Sequence, residues 1–113
     1  MKVKNRVKSH QEFQDVINSK LYEKNACYAV YFKKNNLGYS RIGISASKKL
    51  GHAVTRVKIR RQVRAMLCEL WGLEIPLDLV IIVRNKFNVD SYNECRNELD
   101  ILLRKILRRI TNE

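Results

Sequence analysis

The side chains best suited to chemistry in this sequence are cations. Residues 48–64 contain seven Lys and Arg and no acidic residue. Each guanidinium presents a planar fork of donors that matches a phosphate, and each ammonium adds a compact positive charge. The cations are too crowded to be paired within the segment, which predicts a surface that binds a polyanion. They are Lys48, Lys49, Arg56, Lys58, Arg60, Arg61 and Arg64.

The acid-free stretch is wider than this segment. Residues 24–68 carry eleven Lys and Arg without one Asp or Glu, whereas a solvated surface usually mixes both signs. The whole chain of 113 residues has 23 basic and 11 acidic residues and a net charge of +12. A polyanion would relieve this self-repulsion, so we expect a nucleic acid partner. An anionic membrane surface is the competing interpretation.

The apolar pattern disfavours a membrane partner. The longest apolar run, residues 79–83, is far shorter than the roughly 18 residues of a spanning helix. The basic start of the chain is not followed by the apolar segment of a signal peptide. Cys27, Cys68 and Cys95 are odd in number and widely spaced, which is typical of reduced thiols in a cytoplasmic protein. We therefore expect one cytoplasmic domain over residues 1–113.

No arrangement of side chains predicts catalysis by the protein itself. His10 and His52 are far apart in the sequence, and no spacing of His, Cys, Asp and Glu is typical of a metal site. The sequence has neither a P-loop nor adjacent carboxylates suited to two-metal hydrolysis. We expect no catalytic residue and no metal ligand in the chain.

Two elements are predicted before the basic segment. Ser9 and Glu12 match a capping box, and apolar residues at helical spacing extend a helix over residues 9–20. Aromatic and β-branched residues predict a strand over 27–33, and a short additional strand near 21–22 stays open. Alternation gives the strand over 27–33 one face with Tyr28, Val30 and Phe32 and another with Ala29, Tyr31 and Lys33.

A second strand and a long helix follow. Turn residues at 35–38 lead to an alternating strand over 40–46, which predicts a hairpin with the preceding strand. The basic helix is expected over 54–71, with Gly72 ending it as a glycine cap.

The last part of the chain predicts a strand and a helix. Residues 79–83 form an apolar strand, and Ser91 with Glu94 matches a second capping box. Leucine and isoleucine at spacings of three and four continue that helix to Ile110. Helices and strands thus intermix as α-β-β-α-β-α, which indicates an α+β domain with helices packed on one sheet.

A helical wheel divides the basic helix into two faces. The core face carries Ile59, Val63, Met66, Leu67 and Leu70, and the opposite side carries Lys58, Arg60, Arg61 and Arg64, with Arg56 at the flank. Val57 falls among the cations, so either it touches sugar or base surface or the helix begins after it. The helix sits between strands rather than in a helix-turn-helix frame, and aromatic residues are available to stack on unpaired bases. RNA is therefore favoured over DNA.

Residues 41–64, RIGISASKKLGHAVTRVKIRRQVR, closely resemble the signature of the bacterial ribonuclease P protein subunit. Residues 5–7 followed by Phe13, and residues 78–84 before the last helix, match that family in order and spacing. The resemblance covers nearly the whole chain.

The resemblance implies a compact α+β domain of the ribosomal protein S5 domain 2-like class, with a central, mostly antiparallel sheet and a left-handed β-α-β crossover. It implies two RNA partners, the large catalytic RNA and precursor tRNA, and removal of the 5′ leader with Mg²⁺ held mainly by RNA. The residues carried over to RNA binding are Arg56, Lys58, Arg60, Arg61 and Arg64. Those carried over to a leader-binding cleft between the first helix and the sheet are Phe13, Tyr31 and Lys33.

The sequence departs from the family at three positions. Val57 stands where the family has asparagine, so any contact made by that amide is absent, and Lys58 stands where it usually has arginine. Ile17 replaces a common aromatic residue of the cleft wall, so leader stacking is expected to be weaker. By spacing alone, Phe13 is more typical of a core residue than of a ligand platform, and only the resemblance makes the two readings equal. Lys48 and Lys49 also fit a solvated loop.

Two other functions stay open. A non-catalytic RNA-binding or ribosome-associated protein would bind RNA without promoting cleavage of precursor tRNA. An autonomous nuclease would cleave RNA as purified, RNA-free protein.

Overall fold

The structure is a computed structural model that describes residues 3–112. Its three helices are α1 (His10–Asn18), α2 (Ala53–Leu70) and α3 (Tyr92–Thr111). Its four strands are β1 (Tyr22–Lys24), β2 (Tyr28–Lys34), β3 (Arg41–Ser45) and β4 (Leu77–Val83). Short 3-10 turns lie at Val3–Asn5 and Lys48–Leu50. The α+β class is confirmed, and the strand left open near residues 21–22 is present as β1.

The sheet has the order β1-β2-β4-β3, so the predicted hairpin between β2 and β3 is wrong. β4 lies between them, antiparallel to β2 and parallel to β3. It occupies the interior of the sheet because its residues are apolar apart from Asp78, and all but Ile82 are buried. Because β1 and β2 are also antiparallel, the sheet is mostly antiparallel as expected.

Helices cover both faces of the sheet. α2 connects the adjacent parallel strands β3 and β4 as a β-α-β crossover and packs with α3 on the core face. That face carries Tyr28, Val30 and Phe32, as the alternation predicted. α1 packs on the opposite face over β2 and β4, where Val16 and Val80 are buried.

The helix ends were predicted with mixed success. Ser9 caps α1 by accepting a hydrogen bond from the Glu12 amide at 3.1 Å, which confirms the first capping box. Ser91 stands before α3 but makes no such side-chain bond, so the second box is wrong. Gly72 is not in the left-handed region either, so the predicted glycine cap is wrong. α2 ends at Leu70, and Trp71 follows with an extended backbone and donates from its indole Nε1 to Ser40 Oγ at 2.9 Å.

The two faces of α2 agree with the helical wheel. Ile59, Val63, Met66 and Leu67 are buried, and Leu70 packs partly buried against the same core. The helix begins at Ala53, so a start after Val57 is ruled out and Val57 lies exposed among the cations. Within residues 3–112, no helix is long and apolar enough to cross a membrane.

Candidate nucleic-acid interface

The seven predicted cations lie on α2 and the turn before it. Among residues 3–112, none of them forms an ion pair with a carboxylate. Arg41, which lies in the wider acid-free stretch but outside this set, contacts Asp78 at 2.7 Å and Glu12 at 3.1 Å. The cations of α2 and its entry turn are therefore free to bind an external anion.

α2 presents its cations in two directions. Lys58 and Arg61 are exposed on the outer ridge of the helix. Arg60 and Arg64 are partly buried, one turn apart, and line cavities beside the N-terminal segment. Arg56 is also partly buried, and its Nε atom has no hydrogen-bond partner within the described chain. The helix can thus contact RNA on its ridge and along the cavity side.

The entry turn carries the remaining two predicted cations. Lys48 and Lys49 are exposed in the 3-10 turn that precedes α2. Gly51 follows at a φ of 136°, a conformation that glycine adopts readily, and turns the chain into the helix.

The N-terminal segment, which the sequence did not single out as a binding element, completes the surface. Asn5 is buried and donates from Nδ2 to the Ser40 carbonyl at 2.8 Å. Arg6 then bridges to Ile42 in parallel, and the Val7 amide donates to the Ile42 carbonyl at 3.0 Å. The segment is therefore held along the free edge of β3, beside α2.

Two adjacent cavities lie between this segment and α2. The larger, of about 400 Å³, includes Lys8, Phe13 and Arg60 in its lining. The smaller, of about 140 Å³, includes Arg6, Phe13 and Arg64. Four cations and one aromatic ring thus converge on one concave surface, which suits a phosphate backbone with an unpaired base.

The pKa of Arg64 reports this convergence. Its pKa lies below the usual arginine value because burial removes solvent, and because Arg6 and Arg60 add positive charge nearby. An arginine stays protonated at neutral pH even so. An anion bound among these three guanidiniums would relieve their repulsion.

Arg6 and Lys8 were missed by the sequence reasoning as binding residues. The sequence feature that indicates these residues is the basic run at the start of the chain, but such a run is equally typical of the start of a signal peptide. Their position depends on the bond from Asn5 to Ser40, across a sequence separation of 35 residues, which no local pattern reveals.

The three predicted cleft residues lie on the same side of the sheet, but they do not line a common cavity. Phe13 packs against β3, where a Cβ added to Gly43 would lie 2.8 Å from its ring. Gly43, Val80 and Tyr31 are register neighbours across three strands, so Tyr31 lies about 10 Å from Gly43 at ordinary strand spacing. Lys33 is exposed two residues beyond Tyr31. Neither residue lines the two cavities that contain Phe13.

The remaining candidate groups for chemistry are dispersed. No group of three or more His, Cys, Asp and Glu within residues 3–112 could hold a metal ion. Cys27 and Cys95 are buried free thiols and Cys68 is an exposed one. Burial, with a smaller effect of Cys95, raises the pKa of Cys27 to about 11, so this thiol stays protonated and unreactive at neutral pH.

The fold and this surface define a basic α+β domain that binds nucleic acid. The family model for ribonuclease P matches residues 1–107, and the chain belongs to the ribonuclease P protein component family. The ribonuclease P protein component of Mesoplasma florum is 40% identical over 110 residues, which cover 96% of this chain and 100% of that protein. Membership gives the chain an RNA partner within a ribonucleoprotein enzyme.

Solved structures agree with this assignment. The Staphylococcus aureus RNase P protein matches with a TM-score of 0.79 at 30% identity, over 90% of this chain and 94% of that one. The RNase P protein from Thermotoga maritima matches with a TM-score of 0.75 at 27% identity, over 88% of this chain and 96% of that one. The observed strand order and crossover therefore belong to a known fold.

Proposed function

We propose that this chain binds the catalytic RNA of ribonuclease P and the 5′ leader of precursor tRNA, and so assists removal of the leader. The observation that carries the proposal is the set of unpaired cations on α2, continuous with the basic cavities beside Phe13. The predicted RNA-binding residues are those of α2 and its entry turn, joined here by Arg6 and Lys8.

The role of the protein in this proposal is electrostatic and positional. Catalytic RNA and precursor tRNA are both polyanions, and their mutual repulsion falls when Lys and Arg neutralise phosphates at their junction. The exposed ridge with Lys58 and Arg61 suits the folded catalytic RNA. The concave side with Phe13, Arg60 and Arg64 suits a single strand, whose bases can stack while its phosphates meet guanidiniums. Holding the leader reduces the freedom lost at the cleavage step.

Mg²⁺ is assigned mainly to the partner RNA. The described protein residues offer no cluster of carboxylates or imidazoles that fits the ion, and Mg²⁺ commonly combines phosphate oxygens with water. The cations of the protein would lower the Mg²⁺ concentration that the RNA needs, because both kinds of cation screen the same phosphates.

The test is cleavage of precursor tRNA by the catalytic RNA at low Mg²⁺, with and without this protein. The proposal expects strong stimulation by the wild-type chain and its loss when Arg60, Arg61 and Arg64 are all replaced by Gln. The matched control replaces the acid-paired arginines Arg96 and Arg104, which should leave stimulation intact.

Two other outcomes would favour the alternatives. Tight RNA binding without any stimulation would support a non-catalytic RNA-binding or ribosome-associated protein. Cleavage by the RNA-free protein, abolished in the triple variant, would support an autonomous nuclease.

A further inference from the structure

A pair of tyrosines forms an exposed aromatic surface on the α1 face of the sheet. Tyr22 on β1 lies directly opposite Tyr31 on β2. Their ring centroids are 5.2 Å apart and their planes are tilted by 40°. Tyr22 is 42% exposed and Tyr31 is partly buried, so the outer of the two rings leaves much of its surface in solvent. An exposed aromatic pair on a sheet is a potential stacking surface for bases.

The charges around this pair are positive. Lys24 and Lys33 follow Tyr22 and Tyr31 by two residues on their strands, so both point to the same face, and both are exposed. Glu23, which lies between Tyr22 and Lys24, points to the other face, where its carboxylate contacts Arg109 at 2.8 Å. Asp78, opposite Lys33 in the register, is bound by Arg41. The surroundings of the rings therefore favour a polyanion.

From this arrangement we infer that Tyr22 is a second aromatic contact for single-stranded RNA, forming with Tyr31 a two-ring platform for an unpaired base. Lys24 and Lys33 contact the phosphates on either side of that base. The platform lies at the β1 side of the sheet, with Tyr31 two strands and Tyr22 three strands from Gly43 and the cavities beside Phe13. The inference rests on the proposed function in that the strand it binds is the leader of precursor tRNA.

Tyr22 was not among the residues expected to bind the leader. β1 joins the edge of the sheet through three residue pairs, and one of these pairs places Tyr22 directly opposite Tyr31. The two rings contact each other, with centroids 5.2 Å apart. A base that stacks on them therefore meets side chains already restrained by this contact, which lowers the conformational entropy lost on binding.

The experiment uses the full chain and a short single-stranded oligouridylate that carries 2-aminopurine at one position, moved along the strand from sample to sample. Uracils stack weakly, so the base is fluorescent in the free strand, and stacking on the rings should quench this fluorescence. Tyr22→Leu removes the ring but keeps an apolar side chain, and it should weaken binding by about 5- to 10-fold and reduce the quench, since only Tyr31 and Phe13 then remain to stack on. Tyr22→Phe keeps the ring and should preserve both.

The matched control is Leu37→Ala, because Leu37 is 43% exposed, almost equal to Tyr22. It should change neither affinity nor quench. Wild-type affinity and quench in Tyr22→Leu would overturn the inference, as would the absence of quench at every position in the wild-type protein. Thermal unfolding of each variant checks that the fold is intact.

The proposed function fails separately from this inference. If Tyr22→Leu binds like the wild type while the chain still stimulates precursor cleavage by the catalytic RNA, only the platform is refuted. If the wild-type chain binds and quenches the oligonucleotide but gives no stimulation, the platform stands as a single-strand site and the ribonuclease P role is refuted.

Discussion

Arg41 and Asp78 illustrate how one acid changes the role of a cation in the basic stretch. The Arg41 Nε and Nη2 atoms donate to the two oxygens of Asp78 at 3.0 and 2.7 Å, and Asn35 donates to the same carboxylate at 2.7 Å. The hydrogen bond to Asp78 raises the pKa of Arg41, and this outweighs the opposing effect of burial. Arg41 therefore holds β3 against β4 and is not available to RNA.

Replacing Asp78 by Ala should destabilise the fold by about 2–3 kcal/mol, because a partly buried guanidinium loses two charge-assisted hydrogen bonds and keeps only its contact with Glu12. Urea denaturation measures this loss. The control is Asp100→Ala, which breaks the exposed pair with Arg104 on α3 and should cost at most about 1 kcal/mol. Equal losses of unfolding free energy in the two variants would show that the partly buried Arg41–Asp78 pair stabilises the fold no more than the exposed pair on α3.

Residue-level inference from the sequence succeeded where a local pattern decides the outcome. The buried face of α2 followed from helical spacing, and the free state of its cations followed from the absence of acids nearby in sequence. It failed for Arg41, whose partners Glu12 and Asp78 come from α1 and β4. It also failed to place Tyr22 beside Tyr31, because the register of β1 depends on pairing that no single segment encodes.

At the scale of elements, the N-terminal segment forms one wall of the two cavities beside α2. The bond from Asn5 to the Ser40 carbonyl holds Arg6 beside Arg64, together with the bridge to Ile42 and the bond from the Lys8 amide to the Glu12 carboxylate at 3.2 Å. The ring of Tyr39 adds a weaker contact, with the Lys4 ammonium 4.8 Å from its centroid. Asn5 therefore positions Arg6 without itself contacting RNA.

Asn5→Ala should weaken binding of a leader-bearing precursor about as much as Arg6→Ala does, because both changes remove the same guanidinium from the cavity. The double variant should lose no more than either single one. Fluorescence titration gives the three affinities, and Asn36→Ala, at an exposed asparagine, is the control. Additive losses would mean that Asn5 does not act through Arg6.

The error over the hairpin also belongs to this scale. Turn residues between β2 and β3 and alternation on both sides predicted that the two strands pair, since most short connections join neighbours. The sequence of β4 contained the contrary signal. A strand that is apolar on both faces needs neighbours on both edges and helices above and below. All seven residues of β4 pair with β2, and five of them also pair with the five residues of β3.

Across the whole molecule, the two signs of charge are distributed unequally. Three of the four arginines of α3 contact acids: Arg104 contacts Asp100 at 3.0 Å, Arg109 contacts Glu23 at 2.8 Å, and Arg96 contacts Glu69 at 2.8 Å. The cations of α2 have no such partners among residues 3–112. The α2 side therefore gathers seven unpaired cations, which Arg6 and Lys8 join beside the cavities, on one face suited to RNA.

Binding to the catalytic RNA should depend steeply on salt for this reason. With about four to six phosphates engaged, the slope of log affinity against log salt concentration should be about −4 to −5.

Replacing Arg60 and Arg64 by Gln should flatten that slope by about 1.5–2, because two phosphate contacts and their released counterions are lost. Replacing Arg96 and Arg104 by Gln removes the same net charge but should leave the slope unchanged, since acids already neutralise these side chains. Filter binding over a range of KCl concentrations measures all three slopes. An equal flattening in both variants would mean that RNA responds to total charge rather than to the unpaired face of α2.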